Sequence, residues 1–254
     1  MITAIVQARM GSTRLPGKVM KLLSGKPMLW HIIDRLKFSK KIDRIIIATT
    51  VKEDDKVIVK LSKEIGIDAF SGSPEDVLDR YYQSASFFNV KHIIRITADC
   101  PLIDPVIVDE TVDYYQKKNC DYVSNTINPS YPDGLDTEIF SFEALERAWG
   151  EAVTPSEREH VTPYIYNHSE IFKIYNYAND VDRSHMRWVV DEAADYKFIA
   201  EVYKRLYREG EVFYMNDVLD LLSKHPELND INKNIKRNEG YMKSLEYDNN
   251  MLLE

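Results

Sequence analysis

A segment rich in glycine, hydroxyl and basic side chains follows the first apolar run of the chain. Residues 7–18 read Q-A-R-M-G-S-T-R-L-P-G-K and include two glycines, two arginines and a lysine. Glycines let backbone amides approach phosphate oxygens, and cationic side chains neutralise the charge of those oxygens. The spacing is not that of a Walker A motif, because five residues separate Gly11 from Gly17 and Val19 follows Lys18. The segment predicts a phosphate site of another kind, with an exposed charged loop as the alternative.

Two aspartates that follow predicted strands could bind a divalent cation. Asp99 comes after the mainly apolar residues 93–96 (I-I-R-I), and Asp191 comes directly after residues 187–190. Mg²⁺ is bound in proteins by a few carboxylates together with substrate oxygens, so both aspartates suit a metal beside a phosphate site. The alternative for each is helix capping, of the helix at Pro105 for Asp99 and of the helix after Glu192 for Asp191.

Short apolar runs alternate with amphipathic helical patterns through the first half of the chain. This alternation predicts an α/β fold, a parallel sheet with helices on both faces in a Rossmann-like three-layer α/β/α arrangement. Ligands of such sheets bind at the carboxyl ends of the strands. Strands are predicted at 2–6, 45–49, 69–70, 92–96 and 122–124, and helices at 27–38, 54–65, 74–88 (with Ser73 as N-cap) and 105–118.

The alternation breaks after about residue 126. We predict strands at 137–140, 172–177 and 187–190, and helices at 156–167, 193–207 and 215–224. Residues 1–230 are predicted to form a single domain with a small β-containing excursion at 127–186. Residues 231–254 are predicted to be a polar tail that is partly disordered, since this stretch has few apolar residues.

Charge and composition exclude several classes of protein. The 254 residues carry 33 basic and 41 acidic side chains, for a formal charge of −8, which disfavours a nucleic-acid or membrane-surface protein. Residues 1–41 nevertheless hold nine basic side chains and one acidic one, so we expect a local site for a small anion. Two cysteines exclude a disulfide framework. Because no signal peptide or membrane-spanning run is seen, we predict a cytoplasmic protein.

Six blocks of the sequence resemble the cytidylyltransferases that activate acidic sugars. These are the 3-deoxy-manno-octulosonate and acylneuraminate cytidylyltransferases and, above all, their SpsF-type relatives of spore coat polysaccharide biosynthesis. The resemblance covers about residues 1–230. The blocks are residues 7–18 and then G-S-P-E-D-V-L-D-R-Y (72–81), R-I-T-A-D-C-P-L-I-D-P (95–105), Y-P-D-G-L-D-T-E-I-F (131–140), S-E-R-E-H-V-T-P-Y-I (156–165) and R-W-V-V-D (187–191).

The resemblance implies roles for particular residues. Arg9, Lys18 and Asp99 would be catalytic, and Asp99 and Asp191 would bind Mg²⁺. Glu138, Arg158 and His160, with Glu159 beside them, would face the acceptor; a structural ion pair and a packed histidine are the alternative. As the alternative to a role in nucleotide binding, Asp79 and Arg80 could form a solvated pair. The nucleotide-binding residues would be Ala8, Arg9, Gly11, Ser12, Arg14, Lys18, Gly72, Asp79, Arg80 and Thr97.

The resemblance implies a Mg²⁺-dependent enzyme of surface polysaccharide or glycan precursor biosynthesis. It also implies a homodimer, in which the excursion 127–186 supplies an acceptor wall and a dimer contact. The enzyme would transfer CMP from CTP to an acidic sugar or a related acceptor and release pyrophosphate. A uridylyl- or guanylyltransferase and a non-catalytic nucleotide-binding protein remain alternatives. A glycosyltransferase is disfavoured, because the single D-x-D sequence, Asp180–Asp182, lies in a polar connection.

Overall fold

The computed structural model describes residues 1–235, 237 and 239–251. Within them, a seven-stranded mixed sheet has the order β5-β4-β1-β6-β8-β7-β9, and β2 and β3 form a small hairpin. The strands are β1 (Ile2–Gln7), β2 (Leu22–Leu23), β3 (Lys26–Pro27), β4 (Arg44–Thr50), β5 (Asp68–Gly72), β6 (His92–Thr97), β7 (Tyr122–Ser124), β8 (Glu138–Ser141) and β9 (Ile174–Asn176).

Helices cover both faces of this sheet. Alternate residues of β1 point to opposite faces, so that Ala4 and Val6 join one apolar core and Ile5 joins the other. The predicted three-layer α/β/α fold is therefore confirmed. The helices are α1 (Met28–Leu36), α2 (Lys56–Glu64), α3 (Val77–Phe87), α4 (Pro105–Lys118), α5 (Phe142–Glu151), α6 (Pro155–His160), α7 (Pro163–Asn167), α8 (Ala193–Leu206), α9 (Met215–Lys224) and α10 (Glu239–Met251).

The order of the parallel strands creates a crevice at one edge of the sheet. β1 pairs in parallel with β4 on one side and with β6 on the other, so the chain reverses its direction of strand addition between β1 and β6. In open α/β sheets, ligands bind at such a switch point, outside the carboxyl ends of the strands. β8 then pairs antiparallel with both β6 and β7, which changes the second half into a mixed sheet.

The prediction of a strand at 187–190 was wrong. This segment is extended, but its backbone bonds to loops, with the Trp188 amide donating to the Asp133 carbonyl at 2.6 Å and the Val190 amide donating to that of Asp99 at 2.8 Å. Only an isolated bridge joins Asp133 and Arg187. Gly134 permits this close packing: its φ is +112°, and a Cβ there would lie 2.6 Å from the Trp188 carbonyl carbon.

Two predicted helices have different bounds. The helix predicted at 156–167 is divided into α6 and α7, because Pro163 cannot continue the hydrogen bonding of α6. Val161, between the two, has a φ of 73°. Helix α3 begins at Val77 rather than at residue 74, since the N-cap is Asp76, whose carboxylate accepts from the Asp79 amide at 2.8 Å. The Ser73 hydroxyl instead accepts from the Asp76 amide.

The predicted polar tail contains helix α10, which packs against α6 through a contact of 3.1 Å between Ser244 Oγ and His160 Nε2. Residues 236, 238 and 252–254 of that tail lie outside the described residues. No helix in the described part of the chain combines the length and the apolar character that a membrane span needs.

Replacement of Gly134 by alanine should lower the free energy of unfolding by about 3 kcal/mol, because a β-carbon there meets backbone atoms of Trp188 and Val189. Urea unfolding measures the change. The control is Gly150→Ala in α5, where a β-carbon would have no neighbour within 4 Å. We expect this control to leave stability unchanged or to raise it by up to ~1 kcal/mol. Equal effects of the two substitutions would contradict the packing argument.

Candidate active site

The loop from Ala8 to Lys18 is shaped by hydrogen bonds to its own backbone and to Asp55. The amides of Ser12 and Gly17 both donate to the Met10 carbonyl, at 2.8 and 3.0 Å. The Met10 amide donates to Asp55 Oδ1 at 2.6 Å, and the other oxygen of Asp55 accepts from the Thr50 hydroxyl. Asp55 is 2% exposed and thereby ties the loop to the end of β4. The sequence analysis missed Asp55, because its partner amide is 45 residues away.

The Lys18 ammonium lies between the two aspartates that were predicted to bind metal. Its Nζ is 2.8 Å from Asp99 Oδ2, 2.9 Å from Asp191 Oδ1 and 2.8 Å from the Val190 carbonyl oxygen. Burial lowers the pKa of Lys18, but the two carboxylates outweigh burial and raise it. Burial raises the pKa of Asp99, yet the ion pair with Lys18 brings it down to about 2. Lys18 and Asp99 are therefore both charged at neutral pH.

The capping alternatives do not account for Asp99 and Asp191. Asp104 caps α4, because its carboxylate accepts from the Val106 amide at 2.9 Å. Glu192 is the N-cap of α8, and the Asp195 carboxylate accepts from its amide at 3.0 Å. The carboxylates of Asp99 and Asp191 are thus directed to cations rather than to helix ends.

Arg187 holds Asp191 in place from the side opposite to Lys18. Its guanidinium is 3.2 Å from Asp191, 3.2 Å from Asp133 and 2.9 Å from Asp195. These carboxylates raise the pKa of Arg187 in spite of its burial. Asp191 also receives Arg14 Nη2 at 3.0 Å, so two arginines and a lysine surround one carboxylate.

The donor set fits a magnesium ion that is shared with a phosphate ligand. Among the described residues, no group of three or more Asp, Glu, His or Cys side chains is placed to hold a metal. Asp99 and Asp191 nevertheless converge on one point, and their side chains are 25% and 20% exposed. Mg²⁺ is commonly bound by one or two carboxylates, with phosphate oxygens and water completing its shell. The Asp99 and Asp191 carboxylates therefore fit an ion that is bound together with a phosphorylated ligand.

The other predicted nucleotide-binding residues divide into two groups. Ala8, Gly11, Ser12 and Arg14 lie in the loop with Lys18, together with the exposed Arg9. Thr97 ends β6, two residues before Asp99, and its hydroxyl is 3.3 Å from Cys100 Sγ. The second group, residues 72–80, lies beyond β4 at the end of β5.

Within residues 72–80, the side chains have structural partners. Arg80 is buried and donates to the Ser73 carbonyl at 2.6 Å, and a Cβ on Gly72 would lie 3.2 Å from Arg80 Cγ. Asp79 accepts from Trp149 Nε1 at 2.9 Å and so faces α5. The alternative of a solvated Asp79–Arg80 pair was wrong, because Arg80 is buried and Asp79 binds Trp149. These contacts do not bring Asp79 to the loop at residues 8–18.

A polar cavity of about 340 Å³ lies beside the aspartates. The Glu138 carboxylate, on its wall, accepts from Thr162 Oγ1 at 2.7 Å and also binds Arg95 and Tyr122. Burial lowers the pKa of His160, which keeps this imidazole neutral at pH 7. The lining comprises Arg95, Thr97, Thr126, Ile127, Asp136, Glu138, His160, Thr162, Tyr166, Arg237 and Tyr241.

Of the four residues predicted to face an acceptor, Glu138 and His160 line this cavity, but Arg158 and Glu159 do not. The Glu159 carboxylate instead accepts from the Ser244 hydroxyl at 3.0 Å. The Arg158 guanidinium donates to Asp76 Oδ2 at 2.6 and 2.9 Å and to the Trp149 carbonyl at 2.7 Å. It thereby joins α6 to the N-cap of α3, as in the structural alternative. Conversely, Asp136, Arg237 and Tyr241 line the cavity and were not predicted.

Comparisons with known proteins agree on one family. A family model described as cytidylyltransferase matches residues 3–228. The spore coat polysaccharide biosynthesis protein SpsF of Bacillus subtilis is 31% identical over 89% of this chain and 95% of its own length. The 3-deoxy-manno-octulosonate cytidylyltransferase of Geobacter sulfurreducens is 34% identical over 44% of each chain. The solved structure of a cytidylyltransferase from Leptospira borgpetersenii superposes with a TM-score of 0.85 at 32% identity, covering 92% of this chain and 98% of that one.

Replacement of Asp55 by asparagine should lower the free energy of unfolding by about 2 kcal/mol, because hydrogen bonds to a buried carboxylate are lost. The Met10 amide should then exchange faster with deuterium. The exposed neighbour Asp54 supplies the control: Asp54→Asn should change stability by less than ~0.5 kcal/mol. An unchanged exchange rate at Met10 in the Asp55 variant would show that the carboxylate does not hold the loop.

Proposed function

The chain belongs to the cytidylyltransferase family, and we propose that it transfers CMP from CTP to an acidic sugar with the help of Mg²⁺. The product would be an activated sugar for surface polysaccharide or glycan synthesis. The observation that carries the proposal is the convergence of Lys18, Asp99 and Asp191 beside the loop that follows β1. The predicted homodimer and the cytoplasmic location stay predictions.

The proposed reaction is one in-line displacement. A hydroxyl oxygen of the acceptor attacks the α-phosphorus of CTP and forms a new P–O bond, and the hydroxyl loses its proton. The bond from the α-phosphorus to the oxygen that bridges the α- and β-phosphates breaks, and pyrophosphate leaves with the electron pair. No covalent enzyme intermediate is needed. Such reactions are accelerated mainly by positioning and by the stabilisation of charge.

The residues of the site divide this work. The Gly11 amide and the Ser12 hydroxyl, with Arg9, Arg14 and Lys18, would bind the triphosphate and stabilise the leaving pyrophosphate. Asp99 and Asp191 would hold Mg²⁺, which, when bound, supplies charge neutralisation at the phosphate oxygens. The Lys18 ammonium, now bound to both carboxylates, would then contact phosphate.

The cavity beside the aspartates supports a sugar as the acceptor. Its lining combines hydroxyl groups of Thr97, Thr126 and Thr162 with two arginines, Arg95 and Arg237. Hydroxyl groups suit a polyhydroxylated ligand, and guanidinium groups suit a carboxylate on it. A relative that matches 44% of this chain is named for 3-deoxy-manno-octulosonate, which is such a sugar acid. The choice of CTP as donor rests on the family.

A panel of acceptors tests the proposal. The protein is incubated with CTP, Mg²⁺ and either 3-deoxy-manno-octulosonate, N-acetylneuraminate or a neutral sugar such as mannose, and pyrophosphate and product mass are measured. We expect a CMP-sugar with an acidic acceptor, and little product when UTP, GTP or ATP replaces CTP. Product formed only from another nucleotide, or only from neutral sugars, would refute the proposal.

Replacement of Lys18 by methionine should lower turnover by at least ~100-fold, since one preorganised cation at a transferring phosphate contributes about that much. The protein should still unfold cooperatively, because water can reach the partly exposed Asp99 and Asp191. Lys21→Met removes a charge three residues further along the chain, where Lys21 lies over the Tyr196 ring, and should change turnover less than ~2-fold. Pyrophosphate release and thermal unfolding are measured for both. Turnover of the Lys18 variant close to that of the unmodified protein would remove this lysine from the mechanism.

A further inference from the structure

The C-terminal segment, here the described residues from Asn232 to Asp248, crosses one side of the acceptor cavity. Asn232 Nδ2 donates to the Arg187 carbonyl at 3.0 Å, and Ser244 Oγ is 3.1 Å from His160 Nε2. Between these points, Arg237 and Tyr241 form part of the cavity lining. The family model ends at residue 228, so this wall is built from a part of the chain outside the match.

Arg237 has hydrogen-bond donors that the described protein groups do not use. Its Nη2 donates to Asp136 Oδ1 at 3.0 Å, and its Nη1 is a long 3.5 Å from the Tyr131 carbonyl. Its Nε is buried and has no hydrogen-bond partner among the described residues. A guanidinium offers five N–H donors, and buried donors without partners are costly. Arg95, on another wall of the same cavity, also has a buried Nε without such a partner.

Two carboxylates, those of Asp133 and Asp136, lie near the Arg237 guanidinium. Asp133 Oδ1 lies 3.7 Å from its Nε, and the other oxygen of this carboxylate binds Arg187 at 3.2 Å. Burial, together with the charges of Asp133 and Glu138, raises the pKa of Asp136 even though Arg237 opposes the shift. The remaining carboxylate of the lining, Glu138, is bound to Arg95. Among the described residues, Arg237 thus keeps unused N–H donors on Nη1 at the cavity wall, beside an aspartate whose raised pKa lowers its negative charge.

We propose that Arg237 binds the carboxylate of the acceptor sugar, so that the C-terminal segment selects acidic over neutral acceptors. This inference rests on the proposed function, because it assigns a residue to the acceptor side of that reaction. A carboxylate can take two parallel N–H bonds from one guanidinium, which a hydroxyl cannot do. The same segment also approaches the loop at residues 8–18, since Glu239 Oε2 lies 3.8 Å from Arg14 Nη1. It therefore spans both substrates of the reaction.

The test compares Arg237→Met and Arg237→Lys with Lys243→Met in the full chain. Lys243 lies on the same segment, but its side chain is 71% exposed, so this control removes a charge without touching the cavity. Binding of 3-deoxy-manno-octulosonate, mannose and CTP with Mg²⁺ is measured by calorimetry, and KM and kcat by pyrophosphate release. We expect Arg237→Met to weaken binding of the acid, and to raise its KM, at least ~10-fold, with an intermediate effect in Arg237→Lys. The Lys243 variant should match the unmodified protein.

The affinity for CTP should stay within ~2-fold in all three variants, which also reports that each variant is folded. Unchanged binding of the acid by Arg237→Met, or equal binding of the acid and mannose by the unmodified protein, would overturn the inference. Failure of the unmodified protein to bind CTP would overturn the proposed function instead, and this inference with it. The donor and acceptor measurements therefore distinguish the two failures.

Discussion

The ammonium group of Lys18 is the contact on which the geometry of the site depends. It joins three separate parts of the chain, because Asp99 is 81 residues away in sequence and Asp191 is 173 residues away. Two carboxylates directed to one point repel each other unless a cation lies between them. In this structure, the Lys18 ammonium lies between the two carboxylates. The contact of Lys18 with Asp99 thus also holds the loop at residues 8–18 against the end of β6. The strand order, in which β1 and β6 are neighbours, brings this loop and Asp99 together.

Around this contact, buried charges fix the direction of each carboxylate. Arg187, whose side chain is 7% exposed, binds Asp191, Asp133 and Asp195, and so joins the Asp191 carboxylate to the start of α8 and to the loop at Gly134. Removal of one member of such a network leaves an uncompensated charge in a poorly hydrated place, which is strongly unfavourable. The network extends to the C-terminal segment through Asn232, which binds both the Arg187 carbonyl and the Asp195 carboxylate. The segment is therefore part of the structure that supports the site.

The sequence predicted the features that are local or periodic. Strand–helix alternation indicated the parallel half of the sheet, and its position after β6 indicated that Asp99 lies at the end of that strand. Asp191 meets it at Lys18 although the strand predicted before Asp191 does not form. The prediction was wrong for residues 187–190, because an apolar extended segment has the same pattern whether it pairs in a sheet or, as here, with the loop at Asp133. Asp55 and Arg237 were missed, since their partners Met10 and Asp136 lie 45 and 101 residues away. The partner of Arg158, Asp76, is 82 residues away, so the sequence offered a structural ion pair only as the alternative and did not identify that partner.

The charge of the site constrains how a nucleoside triphosphate can bind under the proposed function. The basic side chains are already paired, since Lys18 binds two aspartates and Arg14 binds Asp191 and approaches Glu239. If a triphosphate drew these cations away by itself, Asp99 and Asp191 would face each other and the phosphate without compensation. With a divalent cation held by Asp99 and Asp191, the Lys18 ammonium would be free to contact phosphate. Electrostatics therefore favours joint binding of nucleotide and metal, and a strongly acidic chain can bind a strongly acidic substrate.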